Sequence, residues 1–386
     1  MKKSCCLIIS MFICSGAYAY DNNVISKLSP YANYSWLKNK ELSYSEREQE
    51  LDIRSMDCTN KDLSKYTAEQ IRFDNGTRFP TDISKMPVDF NSYSIMEKHK
   101  NPGLKVHKLH EIGIDGSGIS MAIIDQPLSQ HNEYNDNLVH YEEFLFRKPT
   151  EGQMHGSAVS SIAVGKTVGV APKAKLYYFA ADILDGQFQN DENKARTSKY
   201  YAAALDKIIE INKTLPENEK IVVVSVSACP SCTFRDPELW NTALEKAKQA
   251  GIFVTTTGII QEYGLNDNGV YRSVLQDPDD FESYRQTNWQ SGRNMPIEEQ
   301  QNTLCFPMDH RTTAAPNGIN DYVHYANGGW SWMKPFEAGL YVLAKQAKPS
   351  VTPEEFFKVG LETGYYSEKA KCVLVNPVEL IKKLQQ

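Results

Sequence analysis

From about residue 105 onward, mostly apolar segments of strand type alternate with segments of helical periodicity. The first predicted strand is Ile119–Ile124, which ends at Asp125, and the helical segment Gly156–Val164 follows His155. Parallel strands need crossover helices, so this alternation favours a parallel sheet covered by helices on both faces. We therefore predict an α/β fold for residues 105–386. The other predicted strands and helices are Leu176–Ala181, Ser198–Asn212, Ile221–Ser227, a helix from Asp236-Pro237 to Ala250, Ile252–Thr257, and helices beginning near Ser331 and Thr352.

Residues 260–318 interrupt this alternation. They are rich in Asn, Asp, Gly and Pro and have little periodicity. The sequence predicts loops here, and loops this long inside a compact domain are usually functional or inserted.

The N-terminus has the features of a cleavable export signal. Lys2 and Lys3 precede the short apolar run Leu7–Cys14, and Ala17-Tyr18-Ala19 fits a cleavage site. We expect residues 1–19 to be a signal peptide and the mature protein to be periplasmic or extracellular. No later segment reaches the roughly 18 apolar residues that a membrane span needs.

Residues 20–104 are polar, aromatic-rich and weakly periodic. They are predicted to be a prosegment, a small extra domain or an extension lying on the main domain. The net charge of −6 comes from acidic and basic residues that are mixed along the chain. This pattern predicts neither a nucleic-acid partner nor a polybasic membrane patch, and it leaves the oligomeric state open.

One stretch near the C-terminus is suited to nucleophilic catalysis. Gly328 and Gly329 permit a tight turn before Ser331, and Pro335 is expected in the first turn of the following helix. Ser331 would then lie at a helix N-terminus, where free N–H groups stabilise negative charge. Asp125 ends the first strand and His155 opens a helix, so Asp125, His155 and Ser331 are predicted to converge at the carboxyl ends of the strands, where ligands bind in open α/β sheets.

Four blocks resemble the subtilisin-like serine peptidases. They are Gly116–Asp125, His155–Val159, Gly169–Leu176 and Gly329–Gly339, in the order found in that family. The resemblance covers residues 105–386 and does not extend to the N-terminal segment. It implies that Ser331 is the nucleophile, His155 the general base and Asp125 the residue that orients His155.

By the same resemblance, the substrates are proteins or peptides. A substrate strand would add beside Val224–Ser227, so Ser225, Val226, Ser227 and Gly258 are predicted to contact it. No cofactor or catalytic metal is expected; a structural calcium ion is compatible with the family, although the sequence has no recognisable ligand set.

Two departures from the family pattern affect the site. Relatives have Gly-Asn where this chain has Gly258-Ile259, and isoleucine cannot donate to an oxyanion; the Ser331 N–H is then the remaining expected donor. A side chain from the loops is an alternative donor, with Asn266, Asn268 and Asn302 as candidates. Trp330 and Trp332 also place bulky indoles beside the nucleophile.

Five cysteines follow the predicted signal peptide. Cys229 and Cys232 have the spacing of a redox pair or half a zinc site, but an exported protein favours a structural disulfide. Our hypothesis pairs Cys229 with Cys232 and Cys305 with Cys372, and it assumes that Cys58 is removed with residues 20–104.

Two other functions compete with an endopeptidase. A catalytically weak relative that binds peptides is favoured by Ile259. A lipase-type hydrolase would need a second glycine after Ser331 and a later histidine, and this sequence has neither.

Overall fold

The computed structural model describes residues 22–46, 48–147, 151–185, 196–286 and 296–386. The predicted signal peptide, residues 1–19, lies outside these ranges. The strands are β1 (Tyr44–Ser45), β2 (Glu50–Asp52), β3 (Ile71–Asp74), β4 (Ser120–Asp125), β5 (Leu138–Phe144), β6 (Lys175–Ala181), β7 (Ile221–Val226), β8 (Phe253–Thr255), β9 (Asp267–Arg272), β10 (Tyr284–Arg285), β11 (Leu304–Pro307), β12 (Arg311–Ala314), β13 (Tyr322–Tyr325), β14 (Tyr365–Ser367) and β15 (Cys372–Leu374).

The α-helices of the described ranges are α1 (Asn22–Ile25), α2 (Ser92–Lys98), α3 (His107–Glu111), α4 (Met154–Val164), α5 (Lys199–Thr214), α6 (Pro230–Thr233), α7 (Pro237–Gln249), α8 (Ile259–Tyr263), α9 (Ile297–Gln301), α10 (Trp330–Ala347), α11 (Pro353–Thr363) and α12 (Pro377–Leu384). Short 3₁₀ turns occur at Ser35–Leu37, Ala68–Gln70, Ile83–Lys85, Glu217–Glu219 and Phe281–Ser283.

A parallel sheet of order β5-β6-β4-β7-β8 forms the centre of the fold. Alternate side chains of β4 enter two different apolar layers, because successive residues of a strand point to opposite faces. Met121 and Ile123 pack in the layer that contains α4 and α10. Ala122 and Ile124 pack in the layer that contains α5 and α7. The predicted parallel α/β fold with helices on both faces is confirmed.

The expectation of loops over residues 260–318 is wrong. This region contributes α8, β9, β10, α9, β11 and β12. Strands β9, β10 and β11 join β14 and β15 in a second sheet of order β10-β9-β11-β15-β14. These strands have two to six residues and pair with distant parts of the chain, so local periodicity carries little signal for them. Strand β5 was also not predicted.

The N-terminal extension shares a sheet with the main body. In the third sheet, β1, β2 and β3 of the extension continue into β13 and β12. Strand β3 pairs antiparallel with β13, where Asp74 lies opposite Val323 and Phe73 opposite His324. The extension also forms a small apolar cluster of its own, which includes Val274 of the body.

The hypothesised disulfide pairing is confirmed. Cys229 is bonded to Cys232, and Cys305 is bonded to Cys372. The second bond joins the neighbouring strands β11 and β15. Cys58 is a buried free thiol within the extension.

Candidate active site

Asp125 and His155 meet at the carboxyl end of the central sheet. Asp125 is the last residue of β4, and His155 lies in the first turn of α4. Asp125 Oδ1 and His155 Nδ1 are 2.7 Å apart. The carboxylate is almost fully buried, whereas the imidazole is 23% exposed. This contact leaves His155 Nε2 as the nitrogen available for chemistry.

The residues around this pair explain its local geometry. The Gln126 side chain accepts a hydrogen bond from the His155 N–H at 3.3 Å, and the Tyr178 hydroxyl donates to the Gln126 carbonyl. A Cβ at Gly156 would lie 2.2 Å from that carbonyl oxygen. Glycine is therefore required after His155, because any side chain would push α4 away from β4.

Two opposing effects act on the pKa of His155. Burial lowers it, but the neighbouring Asp125 carboxylate outweighs burial and raises the pKa above its ordinary value. The aspartate thus stabilises the imidazolium, which is the form that a general base reaches when it accepts a proton.

Ser331 is presented by a strained turn. Gly329 precedes α10 with φ of +60°, a conformation that favours glycine. Asp309 Oδ1 accepts hydrogen bonds from the N–H groups of Gly328 and Gly329, at 2.9 and 3.1 Å. Asp309 is buried, and burial raises its pKa although the two N–H groups oppose the shift. Sequence reasoning missed Asp309, which fixes the turn through these two hydrogen bonds.

Pro335 lies one turn deeper in α10 than expected. Helix α10 begins at Trp330, so Pro335 is inside the helix and leaves the carbonyl of Ser331 without its i+4 donor. The Ser227 hydroxyl supplies that donor at 2.8 Å. In return, the Ser331 hydroxyl lies 3.5 Å from the Ser227 carbonyl oxygen. The end of β7 and the start of α10 are thereby joined.

The indole of Trp332 lies between His155 and strand β13, the strand that precedes Ser331. Trp332 is 3% exposed, and its ring centroid lies 5.3 Å from that of His155. Within the described ranges, the Ser331 hydroxyl bonds to Ser227 and makes no hydrogen bond to His155. Catalytic hydrogen bonds are often absent or long without substrate, so this arrangement is compatible with a serine–histidine pair.

The predicted substrate-binding residues differ in accessibility. Ser225 and Val226 lie inside the central sheet; Ser225 pairs with both Ile123 and Thr255 and is 1% exposed. Ser225 has no free backbone edge and Val226 is fully buried, which argues against direct contact of either residue with a substrate. Ser227 follows the last residue of β7 and is partly exposed. It is the member of the predicted strand that can meet a substrate backbone.

Gly258 faces the Cys229–Cys232 disulfide. A Cβ at Gly258 would lie 2.3 Å from Cys229 Sγ, and the Thr257 N–H donates to the Ala228 carbonyl at 3.0 Å. The segments that follow β7 and β8 are therefore packed directly against each other. This packing leaves little room between them for a bulky substrate side chain.

Ile259 does not face the site as a donor. Its side chain is 1% exposed and packs in the main apolar cluster. Of the three candidate asparagines, the structure brings Asn268 to the nucleophile turn, where its Oδ1 accepts from Trp330 Nε1 at 3.1 Å. Asn302 is exposed at the end of α9. The Ser331 N–H lies in the first turn of α10, where helical N–H groups lack intrahelical partners.

A buried charged cluster that sequence reasoning missed lies one turn behind Ser331. Lys334 forms ion pairs with Asp267 and with Glu337, the latter at 2.9 Å, and the Thr255 hydroxyl donates to Glu337 at 2.8 Å. Burial lowers the pKa of Lys334, but the two carboxylates outweigh it and raise the pKa. Burial raises the pKa of Glu337 to about 7.

Part of the chain matches a known protein family. Residues 116–275 match the family model of the Subtilase family. That match includes Asp125 and His155 and ends before Ser331. The subtilisin-like protease 5 of Trichophyton tonsurans is 27% identical over 155 residues, which are 40% of this chain and 35% of that protein. The chain thus spans about a third of the length of this curated relative.

Three solved structures are similar to this chain. The subtilase cytotoxin SubAB assembly has a TM-score of 0.50 at 11% identity, over 74% of this chain and 95% of that chain. The prenylagaramide maturation protease PagA has a TM-score of 0.49 at 14% identity, over 72% and 98%. A protease of Pseudoalteromonas arctica has a TM-score of 0.49 at 16% identity, over 75% and 97%. The resemblance stated from the sequence is confirmed over residues 116–275, where the Subtilase family model matches, and the α/β fold is shared with the subtilase cytotoxin structure.

Proposed function

We propose that the protein is an exported serine endopeptidase that cleaves peptide bonds through an acyl-enzyme formed on Ser331. His155 takes the proton of the Ser331 hydroxyl as that oxygen attacks the scissile carbonyl, and it later donates the proton to the leaving amine. Asp125 holds the tautomer of His155 and stabilises its cationic form. Water then attacks the acyl-enzyme with His155 again as the base, which restores Ser331.

The 2.7 Å contact between Asp125 and His155 is the observation that carries this proposal. A buried carboxylate on an imidazole that keeps its other nitrogen free is the arrangement that general-base catalysis needs. Position adds support, because Ser331 opens α10 at a helix N-terminus and is followed by Trp332, whose ring contacts His155. The curated relative named above is a subtilisin-like protease, which favours peptide substrates.

Export is supported by the N-terminal sequence Lys2, Lys3 and Leu7–Cys14. Across the described ranges, no helix combines the length and apolarity of a membrane span. A mature N-terminus after Ala19 in protein recovered outside the cytoplasm would support this part of the proposal, and retention of residues 1–19 would contradict it.

A fluorophosphonate probe tests the nucleophile. Phosphonylation needs an activated serine and no matched substrate, so the wild-type protein should be labelled at Ser331. Ser331→Ala should abolish both labelling and peptide cleavage. Ser94→Ala is the matched control, since Ser94 is exposed on α2 and should react as the wild type does. Labelling of a serine other than Ser331 would refute the assignment.

The rival function is a peptide-binding module with an impaired site. Ile259 favours it, because the chain lacks the side-chain donor that relatives use for the oxyanion. A processed wild-type protein that binds peptides and reacts with no probe would support this rival and exclude the peptidase.

A further inference from the structure

The N-terminal extension reaches the candidate site through strand β13. Strand β3 of the extension pairs with β13, and β13 leads directly to the Gly328–Gly329 turn before Ser331. Asn327, which precedes this turn, donates to the Glu48 carbonyl of the extension at 3.4 Å. The segment that carries the nucleophile is therefore supported along its length by the extension.

Two guanidinium groups of the extension cover Tyr325, the last residue of β13. Arg54 Cζ lies 5.6 Å from the ring centroid and Arg72 Cζ lies 5.1 Å from it. Arg54 Nη1 also donates to the Tyr325 hydroxyl at 3.3 Å. Asp52 binds Arg54 with both carboxylate oxygens, at 2.9 and 2.6 Å, which fixes the plane of the guanidinium. A cation over the face of an aromatic ring is attracted by it, and the attraction is stronger where the pair is partly desolvated.

Tyr325 connects the extension to His155 through the ring of Trp332. Its ring meets Trp332 edge to face, with centroids 5.3 Å apart, and the Trp332 ring centroid lies 5.3 Å from that of His155. The Asp125 contact holds only the Nδ1 end of the imidazole. Rotation of the ring about that hydrogen bond would change the position of Nε2, and the Trp332 indole beside the ring limits this rotation.

We propose that the N-terminal extension is a working part of the catalytic site, in which Arg54, Tyr325 and Trp332 are positioning residues for His155. The proposal rests on the peptidase function proposed above. It adds a role for residues outside the segment that resembles the subtilases, and it requires the extension to stay bound to the body in the active protein.

The test compares Arg54→Ala with Arg78→Ala in the full chain. Both variants remove one positive charge from the extension, but the Arg78 side chain is 67% exposed and lies outside the ring stack. Two quantities are measured: kcat and KM on a peptide, and the pKa of His155 by NMR of histidine-labelled protein, with the signal assigned from His155→Gln. Asp125 is the charged group that meets the imidazole in both variants.

Arg54→Ala should lower kcat about tenfold with little change in KM, because the ring is held less firmly while the substrate cleft is intact. It should also raise the pKa of His155, since a ring that is held less firmly is more accessible to water than the 23% exposed ring of the wild type. Arg78→Ala should change neither quantity. In a Tyr325→Leu background, Arg54→Ala should have little further effect, because the path through the ring is already broken.

Equal effects of Arg54→Ala and Arg78→Ala would overturn the proposal, as would a lower Tm with kcat and the His155 pKa unchanged. If Arg54→Ala does not fold, Tyr325→Phe carries the same comparison, since it removes only the hydroxyl that accepts from Arg54. Failure of the wild type to react with the fluorophosphonate would refute the peptidase function, whereas the pKa comparison would still decide the coupling.

Discussion

The Ser227 hydroxyl donates a 2.8 Å hydrogen bond to the backbone carbonyl of Ser331. That carbonyl is free because Pro335 has no N–H to give it. From the sequence, Pro335 is a helix-start signal, but in the structure it leaves the Ser331 carbonyl without a helical donor. Ser227, at the end of β7, donates to that carbonyl instead. The bond ties the predicted substrate strand to the predicted nucleophile.

Replacing Ser227 tests the role of this hydrogen bond. Ser227→Ala should lower kcat about tenfold and reduce the free energy of unfolding by about 1–3 kcal/mol, because the Ser331 carbonyl loses its donor. Ser227→Thr keeps the hydroxyl and should restore most of both. Steady-state kinetics and urea unfolding check the pair, and a Thr variant as impaired as the Ala variant would contradict the hydrogen-bond explanation.

Asp309 should be needed as an acceptor and not as a charge. Asp309→Ala leaves the N–H groups of Gly328 and Gly329 without their shared partner, so labelling of Ser331 by the fluorophosphonate should slow about tenfold or more. Asp309→Asn keeps an amide oxygen in place and should label at close to the wild-type rate.

The same two variants differ in stability. Burial raises the pKa of Asp309, so ionisation costs folding free energy once the pH exceeds the pKa of the unfolded chain. At neutral pH, Asp309→Asn should therefore be at least as stable as the wild type in thermal unfolding. A large loss of stability in the Asn variant would show that the carboxylate charge itself is required.

The central sheet was predictable from the sequence because local signals and burial agree there. Strands β4, β6 and β7 are apolar on both faces, and α5 and α7 have clear helical periodicity. Asp125 and His155 could be assigned to the carboxyl end of the sheet because each lies at the edge of such an element. The glycine turn before Ser331 was predictable for the same reason.

The remaining features depend on contacts between distant segments. No local pattern pairs β3 of the extension with β13, and none connects Asp309 with Gly328 or Ser227 with Ser331. Ile259 shows a related limit. From the sequence, Ile259→Asn is expected to raise kcat if no other donor fills the oxyanion hole, and to do nothing or harm packing if another side chain already serves. Because the Ile259 side chain lies in the apolar core, Ile259→Asn should reduce stability.

The charged cluster behind Ser331 predicts an asymmetry between its members. Lys334→Met leaves the buried carboxylates of Asp267 and Glu337 without a cation, and it should cost about 3–5 kcal/mol of unfolding free energy. Glu337→Gln keeps an acceptor for Thr255 and leaves Lys334 paired with Asp267, so it should cost about 1 kcal/mol or less.

The pH dependence separates these two roles further. Burial raises the pKa of Glu337 to about 7, so its ionisation lowers the stability of the wild type as the pH rises from about 4.5 to 7. Glu337→Gln removes this dependence. The free energy of unfolding of Glu337→Gln, relative to that of the wild type, should be higher at pH 8 than at pH 5. The same change with pH in both proteins would contradict the assignment.

Activity should rise with pH through the ionisation of His155, because only the neutral imidazole can accept the Ser331 proton. The Asp125 carboxylate holds the pKa of His155 above its ordinary value, so the midpoint of the kcat/KM profile should lie above about 6.5.

Asp125→Asn removes the opposing charge while burial remains. It should move the midpoint below that value and reduce kcat by about 10⁴-fold, since the tautomer is also no longer held. The raised pKa has a matching effect on stability: the protonated pair stabilises the fold at low pH, and this contribution is lost as the pH rises through the pKa of folded His155. A midpoint that is the same in Asp125→Asn and in the wild type would show that His155 is not the group whose ionisation controls activity.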